Sequence, residues 1–266
     1  MARSIITLTT DFGVADPYLG IMKGVILSIH PDVDLVDITH DIRACDVMEA
    51  SYQLSQAYRY FPPRTIHLVV VDPGVGTDRR PIIASEDKYF FVAPDNGVLS
   101  MVFSREENIT VRHITSEHYF LEPVSQLFHG RDVFAPIAAW LARGVESAKF
   151  GEIITDYVRY QLPVPKRVNE HLQKGIVVRV DRFGSLMTNL TPHDVPEIFG
   201  GAPRPFKIVI GQTEITELRQ VYAEGEKDEV FAILGSSGYI EIAVNRGSAS
   251  KALGVGKGTE IGFVLA

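Results

Sequence analysis

Two carboxylates in this chain each stand directly behind a short apolar run. Leu68-Val69-Val70-Val71 leads into Asp72-Pro73-Gly74-Val75-Gly76, and Ile5-Ile6-Thr7-Leu8-Thr9-Thr10 leads into Asp11-Phe12-Gly13. Runs this short, closed by Pro or Gly, read as buried strands. Strands of an open α/β sheet present their C-terminal ends to the ligand crevice. Asp72 and Asp11 are therefore expected at one sheet edge, where they suit a cationic or hydroxyl-rich ligand. A third segment, Phe128-His129-Gly130-Arg131-Asp132, precedes a helical pattern. A histidine at a helix start lies near free backbone N–H groups and the positive end of the helix dipole, which disfavours the imidazolium and keeps a neutral base. Asp72, Arg79 and His129 together have the chemistry to hold a water. The carboxylate or the imidazole takes its proton, and the guanidinium stabilises the developing hydroxide.

Each motif also has a plainer reading. Asp72 can cap its own loop, and Asp16, before Pro17, can be the N-cap of the next helix. Turn chemistry alone accounts for Val180-Asp181-Arg182-Phe183-Gly184-Ser185 and for Leu234-Gly235-Ser236-Ser237-Gly238-Tyr239. The Gly74-Val75-Gly76 triplet lacks the third glycine and the immediate helix of a dinucleotide fingerprint, and Pro81-Ile82-Ile83 continues as strand, so a Rossmann phosphate loop is excluded. Asp11-Phe12-Gly13 spells a kinase magnesium motif without the other kinase elements. The histidines show no metal-ligand spacing. A carboxylate-only magnesium site from Asp11, Asp16 and Asp72 stays open.

The elements that must position these groups alternate in the first half. Strands are expected over 5–9, 33–36 and 66–71, with helices over 18–29 and 46–60 between them, the second capped by Asp46 with Glu49 three residues on. Strands over 81–84 and 89–92, a helix from Val98 and a last helix over 133–143 follow. This order implies an α/β domain with a mostly parallel sheet, assigned to 1–162. Pro163 and Pro165 mark a linker over 163–174. Short strands at 176–180, 206–210, 230–234, 238–243 and 260–264, separated by turn clusters, make 175–266 an all-β, barrel-like domain.

Composition narrows the function classes. The chain has 266 residues, is 45% hydrophobic and carries a net charge of −7. No basic stripe is present, which argues against a nucleic-acid partner. A single cysteine, Cys45, rules out an intrachain disulfide framework and a cysteine-rich zinc site. No leader and no apolar run of about 20 residues is found, so a cytoplasmic protein with no membrane partner is expected.

With these segments in hand, the chain resembles the S-adenosyl-L-methionine hydroxide adenosyltransferases, relatives of the fluorinase and chlorinase. The resemblance spans nearly the whole chain. It rests on Thr9-Thr10-Asp11-Phe12-Gly13, Val71-Asp72-Pro73-Gly74-Val75-Gly76, Ala93-Pro94-Asp95-Asn96-Gly97, Phe128-His129-Gly130-Arg131-Asp132, Val180-Asp181-Arg182-Phe183-Gly184 and Ser236-Ser237-Gly238-Tyr239, in that order. It implies a homotrimer with ligand sites between subunits, and the reaction of S-adenosyl-L-methionine with water to give adenosine and L-methionine, without a cofactor or metal. Asp72, Arg79 and His129 match the set that serves the water. The halogenating relatives carry Tyr at the first position and Tyr-Ser around the last, so Asp72 and His129-Gly130 point to water rather than halide. Asp11 matches the position that holds the ribose hydroxyls, and Asp16, Asp181 and Ser236 match those that hold the methionine portion. Phe183, Tyr222 and Asn245 fall near the adenine positions. Ser185 stands where Asn is expected beside the adenine, and Cys45 where the fluorinase carries Trp. Two other readings remain: a sensor that binds the same ligand without turnover, and a metal-dependent hydrolase using Asp11, Asp16 and Asp72.

Overall fold

The apolar runs do become buried strands, and their alternation sets which helices cover which face. The computed structural model describes residues 3–161, 163–200 and 204–265. The chain divides into two units, Met1–Leu162 and Pro163–Ala266. The first runs β1 (Ser4–Thr10), α1 (Tyr18–Ile29), β2 (Val33–Thr39), α2 (Val47–Ala57), β3 (Ile66–Val70), β4 (Pro81–Ser85), β5 (Phe90–Pro94), α3 (Ser100–Phe103), β6 (Thr110–His113), α4 (Ala135–Ala142) and β7 (Ile153–Ile154).

Its seven-stranded sheet has the order β2-β1-β3-β5-β4-β6-β7. The core strands β2, β1, β3 and β5 pair in parallel, while β4, β6 and β7 add an antiparallel flank. Along β3, Ile66, Leu68 and Val70 pack with Met22 and Ile26 of α1 and Ile137 and Ala138 of α4. Val69 and the following Val71 face the opposite way, toward Ala50 and Leu54 of α2 and Val102 of α3. A central strand sandwiched between helices has no polar face, which is why the run before Asp72 is continuously apolar. The Asp46 side chain accepts from Glu49 N at 2.9 Å, the cap expected from their spacing.

The second unit continues with β8 (Lys166–Arg167), β9 (Leu172–Val180), β10 (Leu186–Thr188), β11 (Phe206–Ile210), β12 (Thr213–Ile215), β13 (Leu218–Arg219), β14 (Val230–Leu234), β15 (Ile240–Val244), α5 (Ala249–Leu253) and β16 (Glu260–Leu265). One nine-stranded sheet, ordered β12-β11-β16-β9-β10-β15-β14-β13 with β8 on β9, curls into a half-barrel. Its core includes Val177, Leu186, Ile208, Ile242 and Phe263. The segment 163–174, expected as a linker, contains β8 and the start of β9. Pro163 and Pro165 precede these strands, where a missing N–H costs no ladder bond. No helix among the described residues is long and apolar enough to cross a membrane.

One core group ties stability to acidity. His67 of β3 is fully buried among the rings of Tyr58, Phe61, Tyr89 and Phe91, with Nδ1 2.8 Å from Thr7 Oγ1. Burial pushes its pKa down from 6.5 to about 3. Between these values the unfolded chain binds a proton that the folded chain refuses, so stability rises with pH across the window. This contribution is complete above 6.5 and is lost as the pH falls toward about 3. The urea midpoint is expected to drop from neutral pH to about pH 4, and His67→Phe to show a flatter dependence, read from denaturation curves at both pH values.

Candidate active site

Strand β3 delivers Asp72 two residues past its end, and a tight loop then turns the chain back on itself. Val75 N donates to Asp72 O at 3.2 Å and Thr77 N to Gly74 O at 3.1 Å. Gly76 has φ +78, and a Cβ there would lie 2.4 Å from Gln126 O. Only glycine allows both the left-handed backbone and this approach. The loop returns Arg79 to face Asp72. Arg79 Nε donates to Asp72 Oδ1 at 2.9 Å and Nη2 to Oδ2 at 2.5 Å, a bidentate fork. The two side chains are only 8% and 5% exposed. The guanidinium carbon also lies 5.2 Å from the centroid of the Phe134 ring, a cation–π contact that offsets part of the desolvation.

The same Nη2 lies 2.7 Å from His129 Nδ1. A guanidinium only donates, so Nδ1 accepts and the His129 ring is neutral. Burial is the first cause holding the His129 pKa below its ordinary value, the Arg79 charge is the second, and Asp72 and Asp132 act against both. This departs from the helix-dipole origin expected from the sequence. His129 precedes a π-turn, Gly130–Phe134, that runs into α4, so helical structure begins before the expected Val133. Gly130 lets this turn sit close to the sheet: a Cβ there would be 3.2 Å from Met22 Sδ and 3.4 Å from Val70 Cγ1.

Asp72 and His129 border a cleft of about 350 Å³ that Asp11 and Gly130 also line, with Arg79 behind them rather than in the lining. Asp11 follows β1, and its Oδ2 accepts from Cys45 N at 2.8 Å. Cys45 adopts φ 65 to present that N–H. Phe12, Tyr18 and Phe128 form an aromatic wall with ring centroids 5.3–6.0 Å apart. Sequence reasoning placed Cys45 near the ligand through the resemblance and missed Tyr18 and Phe128. The aromatic residue flanking each polar motif was the available signal.

Asp16 is not brought into this cleft. Its residue is exposed, and it does not cap α1 either, since Pro17 takes the N-cap position with no side-chain bond. A carboxylate trio of Asp11, Asp16 and Asp72 is therefore not assembled. Among the described residues, no group of three or more His, Cys, Asp or Glu is arranged to hold a metal.

The second unit gathers its own set. Asp181, Phe183, Ser185, Tyr222 and Asn245 line a pocket of about 570 Å³, together with Arg246. The Asp181 carboxylate accepts from Phe183 N at 3.0 Å and Ser185 N at 2.8 Å, so it also organises its own turn. Phe183 is 79% exposed. Asn245 Nδ2 donates to Gly225 O at 2.9 Å. Tyr222 donates to Glu241 Oε2 at 3.1 Å, and burial pushes its phenol up to about 12. Burial likewise raises the Glu241 carboxyl. Glu241 was missed, although a lone carboxylate inside Ile240-Glu241-Ile242-Ala243-Val244 was the cue. Ser236 is exposed in its hairpin and does not line this pocket.

Residues 6–151 match the model of the S-adenosyl-L-methionine hydroxide adenosyltransferase N-terminal domain, and residues 175–262 match that of the C-terminal domain. The chain is 33% identical to the (R)-S-adenosyl-L-methionine hydrolase of Thermus thermophilus, with 95% of this chain and 96% of that protein covered. It is 34% identical to the (R)-S-adenosyl-L-methionine hydrolase of Methanocaldococcus jannaschii over 94% of this chain and 92% of that protein. A crystal structure of an uncharacterized conserved protein from Thermotoga maritima superposes with a TM-score of 0.90 at 35% identity, covering 97% of this chain and 99% of that one. With both domains matched in order and relatives aligned along nearly their full length, this chain belongs to the S-adenosyl-L-methionine hydroxide adenosyltransferase family.

Proposed function

We propose that this protein hydrolyses S-adenosyl-L-methionine, in the (R) configuration at sulfur named for its relatives, to adenosine and L-methionine. The observation that carries the reading is the shared guanidinium of Arg79, donating at once to both Asp72 oxygens and to His129, two groups that line the Asp11 cleft. Water attacks C5′ of the ribose along the carbon–sulfur axis, the C–S bond breaks, and its electron pair leaves on a neutral thioether. The leaving group needs no general acid. The demand on the site is to orient the water and to lower the cost of losing its proton. Arg79 stabilises the developing hydroxide, and the set holds two acceptors for the released proton: the Asp72 carboxylate directly, and the His129 ring once Arg79 releases Nδ1.

Asp11 accepts from the ribose hydroxyls, and its fixed Oδ2 sets the carboxylate orientation. In the second unit, Asp181 pairs with the methionine ammonium, and Phe183, Tyr222, Asn245 and Ser185 serve the adenine. Asp16 and Ser236 belong to the methionine end of the same proposal. The active species is a homotrimer in which a neighbouring subunit supplies the second-unit set, and sedimentation equilibrium is expected to return three times the chain mass.

Incubation with (R)-S-adenosyl-L-methionine is expected to release adenosine and methionine in equal amounts, measured chromatographically, with the rate unchanged by EDTA. Binding without products would instead make the protein a sensor, and loss of activity with chelator would point to a metal-dependent hydrolase. Asp72→Asn, which keeps the side-chain shape, is expected to lower kcat by about 10²–10⁴-fold. Arg79→Lys, which cannot form the fork, is expected to do the same. Because burial and Arg79 both lower the His129 pKa, the neutral ring persists below the usual histidine midpoint. The acidic limb of kcat/KM is accordingly expected below about pH 6.5 and is expected to disappear in His129→Gln.

A further inference from the structure

The Asp72–Arg79 fork depends on where the two ends of a short loop are pinned. Both ends are pinned by consecutive residues of one other segment. Strand β3 closes at Val70, and its ladder with β5 ends at the pair Leu68↔Val92. Val71, wholly buried, therefore points its carbonyl beyond the sheet hydrogen bonds. That oxygen accepts from Asn96 Nδ2 at 2.9 Å. The amide thus supplies the bond that another ladder rung would have made, and it does so on the peptide unit that leads into Asp72. Asn96 is itself held, since its Oδ1 accepts from Val98 N at 3.1 Å.

The other end of the loop is fixed one residue earlier in the same segment. Asp95 N donates to Arg80 O at 2.8 Å, and Arg80 Nε and Nη2 donate to Asp95 Oδ2 at 3.0 and 2.7 Å. The Asp95 side chain is 3% exposed, and its other oxygen accepts from Val158 N at 2.8 Å. Arg80 also reaches Asp156 Oδ1 at 2.8 Å. Each member of the fork thus has a staple on the neighbouring residue: Asn96 beside Asp72, and Asp95 beside Arg79. Gly97 holds the stapling segment against Tyr160 with φ +88, where a Cβ would lie 2.2 Å from the ring.

We propose that Asn96 and Asp95 are positioning residues of the reaction: by fixing Val71 O and Arg80, they set the distance and angle between Asp72 and Arg79 and, through Arg79, the contact with His129. Neither residue lines the cleft, so neither touches the substrate in this arrangement. A side chain aimed to about an ångström at reacting groups loses rate steeply when its support relaxes. The inference rests on the proposed hydrolysis for its kinetic readout, and on His129 itself for a readout independent of turnover.

The test is Asn96→Asp, which keeps the shape and the acceptor for Val98 N but presents a carboxylate oxygen, not an N–H, to Val71 O. Expected are a kcat lowered about 10- to 100-fold, a KM within about twofold of wild type, and a His129 titration, followed by ¹⁵N NMR of histidine-labelled protein and assigned with His129→Gln, displaced from its wild-type midpoint. A folded Asn96→Asp protein with unaltered kcat and an unmoved His129 titration would overturn the proposal. A displaced titration in a protein that never releases adenosine would leave the positioning role standing and remove the hydrolysis instead. Should Asn96→Asp not fold, Asp95→Asn, which keeps the shape but leaves one oxygen where Arg80 and Val158 N each have their own, carries the same two readouts with the same meaning.

Discussion

The candidate site depends on one cation shared among three acceptors. Arg79 is taken almost completely out of water, and a buried guanidinium is tolerated only where its N–H groups are matched. Asp72 takes two of them and His129 a third, while Phe134 covers a face of the group. The arrangement is mutually enforcing. Asp72 balances the charge, so Arg79 stays buried, and Arg79 occupies His129 Nδ1, so the ring stays neutral. Removing any one of the three leaves the others with an unmatched buried group, which is why their effects are expected to be strongly non-additive.

The fold around this cation divides the work between two kinds of element. The parallel strands β1 and β3 are rigid and apolar, and they bring the chain to the sheet edge. The chemistry then sits on loops whose conformations need special backbone: Gly76 at φ +78, Gly97 at φ +88 and Cys45 at φ 65. Asp11 is oriented by a backbone N–H from the loop before α2, and Asp72 by a loop stapled to the end of β5. None of Asp11, Asp72, Arg79 and His129 rests on its own strand alone. The unit works as one piece because each loop is tied to a different neighbour.

Much of this was legible in the residues themselves. The β1 and β3 runs, the helix 18–29 and the Asp46 cap follow directly from apolar periodicity and capping chemistry. The antiparallel flank was harder to read, because Thr110–His113 and Ile153–Ile154, next to and at the sheet edge, are short strands with little apolar pattern. The strands at 166–167 and 172–174 were hidden by the two prolines before them. The arginine pair shows the limit most clearly. Nothing in Arg79-Arg80 alone tells which residue joins Asp72 and His129. The answer comes from Asp95 and Asp156, 15 and 76 residues away, which claim Arg80. Asp16 fails for the converse reason: a plausible local cap is displaced when Pro17 takes the N-cap position.

The charge balance of the cleft also bears on which nucleophile it suits. Asp11 and Asp72 contribute two carboxylates, and Arg79, the cation at Asp72, is already neutralised by it. An anion entering here would shed its hydration shell and meet no uncompensated positive charge, whereas neutral water loses little on entry. In the proposed reaction the negative charge of hydroxide develops only in place, where Arg79 can redistribute its donors toward it. Replacing Asp72 by a neutral donor would therefore change more than the rate: it would release Arg79 from its partner and shift the preference of the cleft from a neutral nucleophile toward an anionic one.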